Sequence, residues 1–158
     1  MGCSGGGIDD AFDYYTKSSI MQEKDYPYVA ANHSCKYHPE QSSGINVTQR
    51  YNVMPYNVEQ LKAAVAQQPV AAAVEGYQDA FMQYKAGVFD SPMCGKSLDH
   101  AVVIVGFGIE SHTGDEYWIV RNDWGTTWGE EGYMRLKMQD GAGICGINMA
   151  ASFAAVSK

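Results

Sequence analysis

His100 and Asn122 are the side chains in this chain whose types and spacing most readily do chemistry together. An imidazole gains and loses a proton near neutral pH. It serves as a general base once an acceptor holds one ring nitrogen and so fixes its tautomer and orientation. The amide oxygen of Asn122 is such an acceptor. The residues between them look built to bring the two together. His100 to Gly108 is an apolar, β-branched run that suits a strand buried on both faces. A turn with Gly114 and Asp115 follows, and a second strand from Tyr117 to Arg121 ends at Asn122. In such a hairpin cross-strand neighbours lie about 5 Å apart. Trp124 and Trp128 stand just beyond, placed to cover a His–Asn hydrogen bond and keep water from it. A strand histidine near an Asn-Asp loop is also an ordinary structural arrangement, and spacing alone leaves both readings open.

The wording of the residues narrows the choice. Leu-Asp-His-Ala-Val at 98–102, Gly-Phe-Gly at 106–108, Tyr-Trp-Ile-Val-Arg-Asn at 117–122 and Trp-Gly-Thr-Thr-Trp-Gly at 124–129 together resemble the papain family of cysteine proteases. Its cathepsin L-like branch looks nearest. The resemblance implies an α+β fold of two lobes, with an incomplete N-terminal helical lobe over 1–50. An antiparallel β-barrel lobe over 51–158 would carry the histidine and asparagine. It implies that His100 acts as base and then acid, that Asn122 orients it, that Trp124 shields the pair and that Trp128 walls the primed side. Gly-Cys-Ser-Gly-Gly at 2–6 matches a stretch in which the second paired glycine, here Gly6 beside Gly5, hydrogen-bonds the substrate backbone. The S2 pocket would be lined by Ile8, Ala73, Leu98 and Ala150, with Asp99 among the substrate-binding residues. All four lining residues are apolar, so a hydrophobic P2 side chain is expected. The implied partners are a peptide or protein substrate and a propeptide or cystatin-like inhibitor, with a monomer as the complete form. The implied location is lysosomal or secreted.

The four cysteines form no CxxC pair and are not joined by ligand-spaced histidines, so zinc is not expected, nor any other metal or cofactor. Their even number fits disulfides but does not give the pairing. By resemblance Cys94 and Cys145 are bridged, while Cys3 and Cys35 match cysteines whose partners lie upstream. One departure from the family matters most. Its nucleophile sits in a Cys-Gly-Ser-Cys-Trp segment about 130–150 residues before the histidine, and no Cys-Trp occurs here. The nucleophile and the oxyanion glutamine are therefore expected upstream of residue 1, and these 158 residues by themselves are expected to be inactive. The alternative is a non-catalytic papain-like protein that binds peptides or a protein partner. A smaller departure is Asp123, where the family usually has Ser.

Composition agrees with a folded chain, with 46% apolar residues, enough to bury a core. A net charge of −7 argues against nucleic acid as a partner. No run of 18 apolar residues is present, so no membrane-spanning helix is expected. Along the chain, Ile8, Ala11, Phe12 and Tyr15 recur at helical spacing and predict a helix with a buried face, Asp9 and Asp10 in its first turn. Loop follows from Glu23, with His33 and His38 solvated. Asn57 caps a helix over Val58–Gln67, with Gln60 reaching back as in a capping box, and Pro69 ends it. Val70–Glu75 reads as a short buried strand and Tyr77–Tyr84 as a short helix stopping at Gly87. Gly132–Met138 alternates as a half-exposed strand does. The small apolar residues Asn148–Val156 return across the lobes.

Overall fold

In the computed structural model, which describes residues 5–157, the chain divides into two compact units. Among the described residues, one comprises 5–51 with 154–157 and the other Asn52–Phe153.

In the first unit, helix α1 (Ile8–Tyr15) carries Asp9 and Asp10 in its first turn, where carboxylates suit the positive helix end. None of its residues is buried, contrary to the face expected of Ile8, Ala11, Phe12 and Tyr15. Among the described residues this unit buries a single side chain, Val47, so the helix has no core to join. Polar contacts organise it instead. The Arg50 guanidinium bridges Asp9 and Asp13 at 2.9 and 3.0 Å. A long loop leads through a 3-10 turn at Pro39–Gln41 to strand β1 (Asn46–Asn52). There Thr48 Oγ1 donates to the Ala155 carbonyl at 3.2 Å. His33 and His38 are exposed, as expected of loop residues. Cys35 is an exposed free thiol, and Cys3 lies outside the described residues.

The second unit starts with helix α2 (Val58–Val65), which turns Leu61, Ala64 and Val65 inward. The Asn57 side chain caps it by accepting from Gln60 N–H at 2.9 Å. Gln60 reaches back, but to Met54 N–H rather than to the cap residue itself, so the expected box is half formed. Strand β2 (Val70–Val74) alternates buried and half-buried residues. Only one turn of helix, α3 (Asp79–Met82), follows, shorter than Tyr77–Tyr84. Gln78 Oε1 accepts from Ala80 N–H and starts it late.

After the two-residue strand β3 (Val88–Phe89) come the long strand β4 (His100–Ile109), β5 (Glu116–Arg121), β6 (Tyr133–Lys137) and β7 (Ala151–Ser157). Within this unit the order is β7-β2-β4-β5-β6-β3, antiparallel except for the short β3–β6 pair. β4 runs one residue past Gly108, the end of the apolar run expected from sequence. Gly108 sits under the Tyr117 ring, where a Cβ would meet the phenol oxygen at 2.7 Å. Nor is β4 buried on both faces. Val102 and Ile104 are buried, their neighbours are not, and a bulge between Ile104 and Gly106 breaks the alternation.

The core gathers Leu61, Val70, Val74, Phe81, Ile104, Trp118, Val120, Met134, Leu136 and Ile147, each at most 1% exposed. A disulfide joins Cys94 to Cys145, the pair expected from the family resemblance. On the partly exposed face of β6, Arg135 binds Glu130 and Glu110 at 2.7 and 2.8 Å and lies over the Tyr117 ring. Glu130 also accepts from Gly87 N–H, tying the loop before β3 to β6.

Candidate active site

The site is set by the register of β2, β4 and β5. His100 opens β4 opposite Val74, the last residue of β2. Arg121, paired with Val103, delivers Asn122 just past the end of β5. His100 Nε2 then lies 2.7 Å from Asn122 Oδ1. The same oxygen accepts from Asp123 N–H at 2.9 Å, which fixes which end of the carboxamide is oxygen. An amide oxygen only accepts, so Nε2 carries the proton of this bond. Nδ1 makes no hydrogen bond to the described residues and is the nitrogen left for proton transfer.

The imidazole is held from several sides. Trp124 stacks on it, centroids 4.7 Å apart and planes 28° from parallel. Phe81 and Tyr77 approach edge-on at 6.2 and 5.7 Å. Gly76 touches it from below: a Cβ there would lie 2.7 Å from His100 Cβ, so the position admits no side chain. The His100 side chain is only 7% exposed, and Asn122 is buried. Asn122 Nδ2 is buried with no hydrogen-bond partner among the described residues. The Asp123 carboxylate, 78% exposed, stands 3.7 Å from Nε2. It faces solvent and competes only weakly with the amide.

The remaining residues singled out in the sequence fall into groups. Asp99 turns its carboxylate toward the protein, accepting from Gly76 N–H at 2.8 Å and Tyr77 N–H at 3.3 Å. It thereby shapes the loop against His100. Ala73 and Ala150 are joined through Ala73 N–H to the Ala150 carbonyl at 2.9 Å. Ala73 and Leu98 are half-buried and Ala150 exposed, so all three leave apolar surface open. Trp128 is buried, stacks on Phe81 at 5.5 Å and donates from Nε1 to the Met82 carbonyl. In this geometry it backs Phe81 and Trp124 from within. Gly5, Gly6 and Ile8 belong to the other unit; Gly5 and Gly6 are exposed with open space where a Cβ would be, and Ile8 is half-buried at the start of α1.

Three residues at the site were not picked out from sequence: Gly76, Tyr77 and Phe81. The signal was present in Glu75-Gly76-Tyr77, directly after a short apolar strand. Once β2 pairs with the strand that begins at the histidine, the residues leaving β2 must lie beside that histidine. Among the described residues no group of carboxylate, thiol and imidazole side chains could hold a metal ion.

Known proteins resemble the chain along nearly its whole length. The family described as papain family cysteine protease matches residues 1–155. A probable cysteine protease of Arabidopsis thaliana, RDL6, is 43% identical over 157 residues, covering 96% of this chain and 43% of the relative. The chain thus spans less than half the length of that curated relative. Among solved structures, the bromelain protease from Ananas comosus in complex with the inhibitor E64 superimposes with a TM-score of 0.89. It is 36% identical, with 98% of this chain and 72% of that one covered. Digestive procathepsin L 3 of Tenebrio molitor larval midgut gives a TM-score of 0.88 at 38% identity, covering 98% of this chain and 50% of that one. The chain belongs to the papain family of cysteine proteases.

Proposed function

We propose that this chain supplies the histidine and asparagine of a cysteine endopeptidase. The observation that carries the reading is the 2.7 Å bond from His100 Nε2 to Asn122 Oδ1 beneath the stacked Trp124 ring, which leaves Nδ1 for chemistry. A thiol becomes a useful nucleophile when an imidazole takes its proton and the resulting ion pair persists. The thiolate adds to the peptide carbonyl carbon, and the imidazolium then gives its proton to the departing amine as the carbon–nitrogen bond breaks. Water, deprotonated by the same ring, cleaves the thioester. In this reading the thiol and the oxyanion donors come from protein outside these 158 residues, since no Cys-Trp is present.

Ala73, Leu98 and Ala150 supply an apolar S2 surface, and Asp99 shapes the loop beside the histidine; in the other unit Gly5 and Gly6 leave room for an extended substrate backbone. A propeptide or cystatin-like inhibitor would be the controlling partner, and the complete enzyme a monomer. The Cys94–Cys145 disulfide supports an oxidising, lysosomal or secreted setting.

The test is peptide hydrolysis by the protein expressed from its complete coding sequence. His100→Ala should lower kcat by about 10²–10⁴-fold, with a smaller loss for Asn122→Ala, and Leu or Phe at P2 should be cleaved faster than Arg. A folded wild-type protein that cleaves no peptide would sink the protease reading and leave peptide or partner binding as the function.

A further inference from the structure

We propose that Tyr77 selects the residue on the leaving-group side of the scissile bond, favouring an aromatic or large apolar side chain there. The inference rests on the protease reading of His100. The amine that departs must collect its proton from the imidazole. The first residue on its side therefore lies against whatever flanks that ring. Two aromatic side chains with open surface flank it. Trp124 lies flat on the imidazole and is half-buried. Tyr77 meets the imidazole edge-on and the Trp124 ring at 6.0 Å with planes inclined by 49°.

Tyr77 is 62% exposed, far more than any other aromatic ring touching His100. A single exposed aromatic is unremarkable on a protein surface, but the backbone that carries this one is held in place beside the histidine. Its N–H and that of Gly76 both bind Asp99 Oδ1, and Val74 before them pairs with His100. The Tyr77 backbone therefore cannot drift from the histidine without breaking the Asp99 clamp. Tyr77 and Trp124 together form an angled apolar surface suited to edge or face contact with another ring. The exposed carboxylates of Asp79 and Asp123 in the neighbouring segments disfavour an acidic side chain.

The experiment uses the protein from its complete coding sequence and peptides that differ only in the first residue after the scissile bond: Phe, Ser or Asp. Wild type should cleave the Phe peptide with the highest kcat/KM and the Asp peptide with the lowest. In Tyr77→Ala the Phe-to-Ser ratio should fall by roughly three- to tenfold, and Tyr77→Phe should restore it, because the ring and not the hydroxyl makes the contact. Hydrolysis that persists with a Phe-to-Ser ratio unchanged by Tyr77→Ala overturns the role of Tyr77 and leaves the protease reading standing. No hydrolysis of any peptide by folded wild type overturns both.

Discussion

The two units of this chain are held together by different physics. Residues 52–153 bury a contiguous core, from Leu61 on α2 through Phe81 and Trp118 to Leu136 and Ile147. The described part of the other unit buries only Val47 and relies on Arg50, Asp9, Asp13 and backbone contacts. The paired His100 and Asn122 are in the unit with the core, and the reason is mechanical. A base must keep its ring within a few tenths of an ångström of its orienting oxygen, and only close packing supplies that rigidity. Glycine-rich, exposed residues such as Gly5 and Gly6 would instead suit contacts made through the backbone, where adaptability costs less.

That contrast can be broken most sharply with two phenylalanines. Phe81, fully buried and touching His100, Trp124 and Trp128, should cost about 3–5 kcal/mol when changed to Ala. Half-buried Phe12 on α1 should cost about 1 kcal/mol. Urea denaturation of the two variants gives both numbers, and equal losses would mean that the units are not distinguished by core packing.

A second, smaller effect concerns acid. The Arg135 guanidinium holds the Glu130 carboxyl below the usual carboxylate range. A carboxyl lowered in the folded state stabilises above its unfolded value of about 4.3, and that stability is lost as pH falls through the folded value. Glu130→Gln should therefore lose about 1–2 kcal/mol at neutral pH, with the gap to wild type closing as the pH drops below about 4. Thermal unfolding from pH 3 to 7 reads it, and a gap that widens toward acid would contradict the sign. The smallest effect is expected in the first unit. Arg50→Ala removes two solvent-washed ion pairs and should leave the melting temperature within about 2 °C of wild type. A larger drop would show that this unit leans on charge far more than exposed pairs ordinarily allow.

What could be read from the sequence follows the same division. The hairpin of β4 and β5 was legible because β-branched residues, a glycine turn and the flanking Trp-Gly repeats all point the same way. The cap at Asn57 and the strand at Val70 were legible for the same kind of reason: each is a local signal. Burial of α1 was not. Its apolar spacing is real, but spacing says only that a face exists, and nothing about whether a core meets it. The bulge in β4 depends on the course of its neighbour and leaves no local trace. Gly76, Tyr77 and Phe81 escaped because they join the site only through the β2–β4 register. That pairing spans residues distant in sequence, and a reading made one segment at a time does not supply it.

The stacking of Trp124 on His100 also has a photophysical consequence. An excited indole passes an electron readily to a protonated imidazole in van der Waals contact and much less readily to a neutral one. Of the three tryptophans, Trp118 is walled into the core and Trp128 stacks on Phe81, while Trp124 lies flat on the histidine. The protein therefore carries an intrinsic optical reporter of whether His100 is charged. Steady-state emission followed against pH, with Trp124→Phe as the blank, would read that charge without substrate, label or turnover.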